Sequence, residues 1–232
     1  MIKRFIPKKY HYKLSNLKNA LRGGYARTHY SQFGEDITLA ALLPDKAGVY
    51  VDVGAHHPKR YSNTYLLFKK GWHGINIDPN PHTIGLFNKA RPNDINIECG
   101  VAGKEGTLTY YQFSDPAVNS FSEEEAKRWM NKSWLQYLGT KEVEVQPLRQ
   151  LLNNLPNPPT HIDLLNIDTE GMDVEVLQSN DWQKYQPRVI VIESGCFDAS
   201  KPFEDPAFRL LVTTYGYTLA ARMGASLIFS RA

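Results

Sequence analysis

From Glu35 onward the chain alternates helical patterns with short apolar runs. Asp36 to Leu43 reads as a helix that stops at Pro44, and Val49-Tyr50-Val51-Asp52-Val53 as a strand running into Gly54. Ser62-Asn63-Thr64 is placed to cap a helix over Tyr65 to Lys70, which ends at Gly71. Gly74 to Asp78 is the second strand, broken by Pro79-Asn80-Pro81. His82 to Ala90 is the next helix and Ile95 to Cys99 the third strand. A fourth strand covers Ile162 to Asp168 and a fifth Val189 to Glu193, with a helix over Val174 to Ser179 between them. Short apolar strands separated by helices predict parallel pairing between helix layers, a doubly wound, mostly parallel α/β sheet.

The last part breaks the rhythm. After a helix over Phe208 to Thr214, Tyr217 to Ala220 and Leu227 to Ser230 flank Gly224, so the sheet is expected to close with an antiparallel hairpin. Between the third and fourth strands lies an insertion, about 106–159, with strand-like pieces at Thr107 to Gln112 and Glu142 to Gln146. Between those pieces Ser122 and Glu125 form the signature of a capping box opening a helix, which Trp129, Trp134 and Tyr137 are expected to decorate. Trp72, Trp129 and Trp134 read first as core packing.

Charge divides the chain differently. The 232 residues carry a net charge of +3, but eight basic residues, from Lys3 to Arg27, precede the first acid, Glu35. The remainder holds 19 basic and 24 acidic residues, a net −5. Residues 1–29 are therefore a basic arm on a mildly acidic body, 30–232. Apolar residues from Ile2 to Leu21 interleave the arm's charges, a pattern suited to an anionic membrane surface or an acidic partner. The plainer expectation is a helix packed on its own domain, because Pro7 interrupts the stripe. The acidic body argues against long nucleic-acid substrates. No apolar run approaches the roughly 20 residues of a bilayer span, and the N-terminus lacks the pattern of a secretory signal. Cys99 and Cys196 stand far apart and outside metal-binding spacing, so a disulfide framework and a zinc cluster are not expected and the reducing cytoplasm is the default compartment.

Ligands of open parallel sheets bind outside the carboxyl ends of the strands. Gly54 ends the first strand and Asp78 the second, 24 residues on, where an acid can accept hydrogen bonds from both hydroxyls of a ribose. The glycine-rich fingerprints for dinucleotides and triphosphates are absent, since Gly54 is followed by Ala55-His56-His57-Pro58. S-adenosylmethionine fits better: free N–H groups near Ser62 could receive its carboxylate and Asp52 its ammonium. The plain alternative makes Asp52 a turn residue and Gly54 a breaker. Asp168, Glu170 and Glu193 close the fourth and fifth strands, and carboxylates so placed must be solvated, paired or used. One could serve as general base, or several could hold a divalent ion. The plain alternative lets Glu170 cap the next helix and Glu193 pair with a base. His56 and His57 follow the glycine and lie within reach of a methyl donor and an incoming nucleophile.

At these residues the sequence resembles the FkbM family of S-adenosylmethionine-dependent methyltransferases. The signatures are Ser31-Gln32-Phe33-Gly34-Glu35-Asp36, Val51-Asp52-Val53-Gly54-Ala55, Ser62-Asn63-Thr64, Gly71-Trp72-His73-Gly74, Asp78-Pro79-Asn80-Pro81 and Asp168-Thr169-Glu170-Gly171-Met172-Asp173. The resemblance implies a class I methyltransferase (Rossmann-like) fold and O-methylation, commonly of sugar hydroxyls in glycans, glycolipids or natural products. It implies that Asp52, Gly54 and Asp78 contact the cofactor, that Cys99 and Val101 lie beside the adenine, and that Gln32 lies near the donor's amino-acid end. Asp168 and Glu170 would face the reacting centre. Glu often stands where this chain has Asp78, and Pro116 to Leu138 matches no part of the family pattern.

The expected protein is thus a sugar O-methyltransferase with His57 or Asp168 as base and Glu170 orienting the acceptor or the base. No metal is predicted, although the carboxylates could admit a divalent cation. The arm's second expected role is to set the protein against the inner face of a membrane. The rivals are a methyltransferase for RNA or another small acceptor, and an inactive binding module. Amino-group methylation of bases usually shows Asn/Asp-Pro-Pro-aromatic after the fourth strand, where this chain reads Asp-Thr-Glu-Gly.

Overall fold

The computed structural model describes residues 7–21, 23–24, 26–195 and 197–231. The readings made for Ile2 to Ile6, Arg22 and Cys196 fall outside them. Helix α1 (Lys8–Leu21) carries no acid, and its apolar residues Tyr10, Leu14, Leu17 and Leu21 recur at helical spacing. The expectation that this stripe packs on the domain is not met: Leu17 is 56% and Leu21 78% exposed. Helix α2 (Glu35–Leu42) then leads into β1 (Val49–Val53), a one-turn α3 (Tyr65–Lys69), β2 (His73–Asp78), α4 (Pro81–Ala90) and β3 (Ile95–Glu98). After the insertion come β7 (Leu164–Ile167), α7 (Asp173–Gln178), β8 (Val189–Glu193), α8 (Pro206–Arg209), β9 (Thr218–Met223) and β10 (Ser226–Ser230).

The main sheet runs β3-β2-β1-β7-β8-β10-β9. The first five strands are parallel, and β10 is antiparallel to both its neighbours, so the expected doubly wound sheet and closing hairpin are both present. Strand order reverses between β1 and β7, which puts the binding crevice of such a sheet over their carboxyl ends. Alternate residues build the two faces. Val51, Val53, Ile75, Ile77, Leu165 and Ile167 bury one face against α7 and α8. Tyr50, Leu164, Val189 and Val191 bury the other with Leu39 and Leu67. Trp72 is fully buried there, as expected.

The third strand is one residue shorter than expected because the chain leaves the main sheet at Cys99. Gly100–Val101 (β4) pair instead with β6 (Tyr137–Gln146), which also pairs with β5 (Gly106–Phe113) in a second, three-stranded sheet. Between β5 and β6 lies α5 (Glu123–Met130), and α6 (Leu148–Asn153) follows β6. Only half of the capping box forms: Ser122 Oγ accepts from the Glu125 N–H at 3.3 Å, while the Glu125 carboxylate turns to Arg128 at 2.6 Å. Trp134 and Tyr137 lie beyond this helix, and Trp134 is 66% exposed, which corrects its reading as core. The helix expected over Phe208 to Thr214 starts at Pro206, capped by Asp205, and widens into a π turn over Leu210–Thr214.

Candidate active site

Register assembles the site. Val53 pairs with Ile77 on β2 and with Ile167 on β7, and Ile167 pairs with Ile192 on β8. One residue further along each strand therefore brings Gly54, Asp78, Asp168 and Glu193 into one transverse row at the sheet edge. Gly54 has φ +75°, and a Cβ there would collide with the Asp168 carbonyl oxygen. Glycine is needed at this position because β7 passes so close, before any ligand is considered.

The loop after β7 is shaped from within. The Asp173 carboxylate accepts the N–H groups of Thr169 (2.9 Å) and Gly171 (3.1 Å). This reverse cap folds the chain back and puts Glu170 at φ +50°, where its carboxylate accepts from Trp129 Nε1 at 3.4 Å. His56 is also left-handed, at φ +52°. Strain of this kind costs about 1–3 kcal/mol per residue and persists only where its surroundings impose it. The alternative that Glu170 caps α7 is not observed: no side chain caps that helix, and Asp173, its first residue, holds the preceding loop instead.

Beneath the row lies a second, polar one inside the sheet. Asp52 is flanked by Asn76 and Asn166, and Asn76 by Asn96. Asp52 accepts from Thr64 Oγ1 (2.6 Å) and Asn166 Nδ2 (2.9 Å), and Asn63 donates to Asn166 (2.9 Å). The fully buried Arg91 donates to Thr64 Oγ1 (2.9 Å), the Tyr50 hydroxyl (3.0 Å), Ser62 Oγ (2.9 Å) and the Pro58 carbonyl (2.5 Å). Asp52 therefore spends both oxygens inside the protein, where it was expected to receive an ammonium. Helix α3 has only one turn, and its first N–H goes to Ser62 Oγ at 3.1 Å. Arg91 escaped the sequence reading; its one signal was an arginine between Ala90 and Pro92, at the end of an amphipathic helix.

Two clefts open over this edge. The inner one, about 480 Å³ with the open space at its mouth, is lined by Asp78, Cys99 and Val101 with Ile77, Tyr110 and Phe121. The outer one, about 1590 Å³ with its mouth, is lined by Gln32, Asn63, Trp129, Trp134 and Glu193. Gly54, His56, Asp168 and Glu170 line both. Of the residues singled out from sequence, Gly54, Asp78, Cys99 and Val101 thus meet in one cleft, while Gln32 and Asp52 line the other. His57 lines neither. Its Nδ1 accepts the N–H groups of Lys59 (3.0 Å) and Arg60 (2.9 Å), which ties it to the turn, and His56 takes its place at the junction.

Burial first, and the charges of Glu193, Asp173 and Asp52 next, push the Asp168 carboxyl well above the usual range. Its side chain also faces the solvent-open cleft, which moderates the first cause; the neighbouring carboxylates alone set the same direction. Glu170 and Glu193 are raised too, by burial and then by Asp168 and Glu170 respectively. Asp168 and Glu193 share a hydrogen bond, so this trio, with one oxygen of each within 4.8 Å of the others, retains a proton at neutral pH. Asp78 is pushed up to about 6 by burial, although the N–H groups of Asn80 (2.8 Å) and His56 (2.9 Å) counter it. Burial, then Arg60, lowers His56 to about 4, so its ring is neutral at neutral pH.

The model of the methyltransferase FkbM domain matches residues 52–219. Among solved structures, the chain is similar to methyltransferase FkbM from Methylobacillus flagellatus KT, with a TM-score of 0.51, 12% identity and 87% of this chain covered. The chain spans about half the length of that protein, 48%. It is also similar to precorrin-6y C5,15-methyltransferase from Geobacter metallireducens GS-15, at a TM-score of 0.40 and 12% identity, over 84% of this chain and 85% of that one. No curated protein matches the chain. The family match runs from Asp52 through both candidate clefts and into the closing hairpin, and on that ground the chain belongs to the methyltransferase FkbM family.

Proposed function

We propose that the protein transfers a methyl group from S-adenosylmethionine to a hydroxyl of a sugar in a glycan, glycolipid or natural-product glycoside. The observation that carries this reading is the junction of the two clefts at Gly54, His56, Asp168 and Glu170, which lets a donor and an acceptor meet end to end. The inner cleft suits adenosine. Asp78 keeps lone pairs for ribose hydroxyls beside its two backbone bonds, and Ile77, Val101 and Tyr110 offer apolar walls for a flat base. A buried polar atom at the junction, His56 Nδ1, has no partner within the protein and awaits one. Gln32 and Asn63 in the outer cleft are placed for the donor's amino-acid end, with Asp52 positioning Asn166 and, through it, Asn63.

When bound, S-adenosylmethionine supplies an electrophilic methyl on a sulfonium. The protein's part is to align the acceptor oxygen with it and to remove a proton. Asp168 takes that proton, since its raised pKa makes it a stronger base than an ordinary carboxylate. Glu170, fixed by Trp129, orients the acceptor hydroxyl. The trio of carboxylates could also hold a divalent cation, but no step here needs one.

Donor binding is tested by thermal unfolding. A ligand at 100 times its dissociation constant adds about 2.7 kcal/mol, a rise of several degrees. S-adenosylmethionine or S-adenosylhomocysteine should produce it, and no rise at saturation would return the chain to the class of inactive modules. Incorporation of labelled methyl into saccharides then tests the acceptor. We also place the basic arm on an anionic membrane face: α1 has no acid, and Leu17 and Leu21 are bare. No helix among the described residues is long and apolar enough to cross a membrane. The protein should float with anionic vesicles at low salt and not with neutral ones; equal recovery from both would overturn this placement.

A further inference from the structure

The outer cleft has a one-sided charge. Six acids line it, Glu35, Asp52, Asp115, Asp168, Glu170 and Glu193, and no lysine or arginine does. Two of the six are committed elsewhere. Glu35 accepts from the Phe33 N–H (2.8 Å) and the Ser226 hydroxyl (3.2 Å), and Asp52 belongs to the network with Thr64 and Asn166. Asp115 pairs with Arg60 at 3.2 Å, and the same guanidinium reaches His56 Nε2 at 3.2 Å at the cleft wall. That leaves Asp168, Glu170 and Glu193 together at the junction, among the described residues without a cationic side chain within ion-pair distance. The trio retains a proton at neutral pH and carries two negative charges at most, of which a cationic donor offsets one. A phosphate, carboxylate or sulfate next to the reacting hydroxyl would therefore sit among like charges, and the guanidinium at the cleft wall, Arg60, is already paired with Asp115.

The remaining lining is of another kind. Gln32 and Asn63 serve the donor's amino-acid end and Asn166 is spent on Asn63 and Asp52, which leaves the Tyr61 and Ser226 hydroxyls as neutral polar groups for the acceptor. Trp134, largely bare, stands edge-on to Trp129 with ring centroids 6.2 Å apart. Hydroxyls beside an exposed indole face suit a ring with hydroxyls around its edge and C–H bonds on its face. We propose that the acceptor seated in the outer cleft is a polyhydroxylated ring bearing no anionic substituent, with an amino-bearing ring favoured over a neutral one. It follows that nucleotide-linked and uronic-acid sugars are excluded at the reacting unit. This inference rests on the methyl-transfer reading above, and deepens it.

Three acceptors that share a ring and differ in charge test it: methyl glucoside, methyl glucosaminide and methyl glucuronide. Binding is read by ligand-observed NMR with S-adenosylhomocysteine present, and turnover by labelled-methyl transfer. The glucosaminide and glucoside should exceed the glucuronide at least tenfold in kcat/KM, with the same order in binding. In Glu193→Gln that ratio should shrink severalfold whatever happens to absolute turnover, since the ratio reads charge rather than folding. Trp134→Ala should weaken all three alike. A glucuronide that binds or reacts as well as the others overturns the inference and leaves the methyl-transfer reading standing. Binding of S-adenosylhomocysteine with no response to any of the three overturns the acceptor class. Failure of S-adenosylhomocysteine itself to bind overturns the underlying reading instead.

Discussion

Asp168→Asn should cut methyl transfer by about 10²–10⁴-fold while leaving the thermal shift given by S-adenosylmethionine nearly unchanged. The amide keeps the size of the carboxylate but cannot accept the acceptor's proton. A base works only when ionised, and Asp168 has its pKa raised by burial and by Glu193. The wild-type rate should therefore climb with pH through a range above that of ordinary carboxylates, and the variant should lose that limb. The substitution also removes one of three carboxyls crowded within 4.8 Å of one another, so the folded protein should be as stable as wild type or more so. A slow but stable enzyme is the expected outcome. Unchanged turnover would take Asp168 out of the chemistry.

Arg91→Met should act in the opposite sense, through stability. Arg91 is wholly buried and links the Pro58–Ser62 turn to Thr64 and Tyr50. Through those hydroxyls it faces two buried carboxylates, Asp52 and Asp94, the latter receiving the Tyr50 hydroxyl at 2.5 Å. Removing the cation from such a group costs about 3–5 kcal/mol, because the carboxylates stay behind uncompensated. For a chain of this size that lowers the unfolding midpoint on the order of 10 °C. Adding Asp52→Asn to Arg91→Met should cost less than the sum of the two single changes, the mark of direct coupling. A midpoint within a degree of wild type would mean that the network carries no net weight.

The strands were legible because β1, β2, β7 and β8 are apolar and end in glycine or acids, and the edge row of Gly54, Asp78 and Asp168 followed from that. The hairpin announced itself through Gly224 between two apolar runs. What stayed hidden depends on register and on distant contacts. That Glu193 would share a hydrogen bond with Asp168 follows from the pairing of Ile167 with Ile192, which no periodicity gives. The choice between His56 and His57 turned on a left-handed residue and on two N–H groups captured by the wrong ring for catalysis. Arg91 was invisible because its partners lie 15 to 41 residues away in sequence. Trp134 reads as core because a large aromatic ring usually is, and its exposure reflects a helix that ends at Met130.

The passage from the main sheet to the small one takes three residues, Cys99 to Val101, and two of these three form a wall of the inner cleft. The segment that carries Trp129 and Trp134 hangs between the two long strands of that small sheet. A tightening of the tryptophan segment around one guest would have that small sheet as its path to the chamber of the other. Thermodynamic reciprocity then requires that each guest alter the other's affinity by the same factor, so the order in which they load is open to measurement as a single coupling constant.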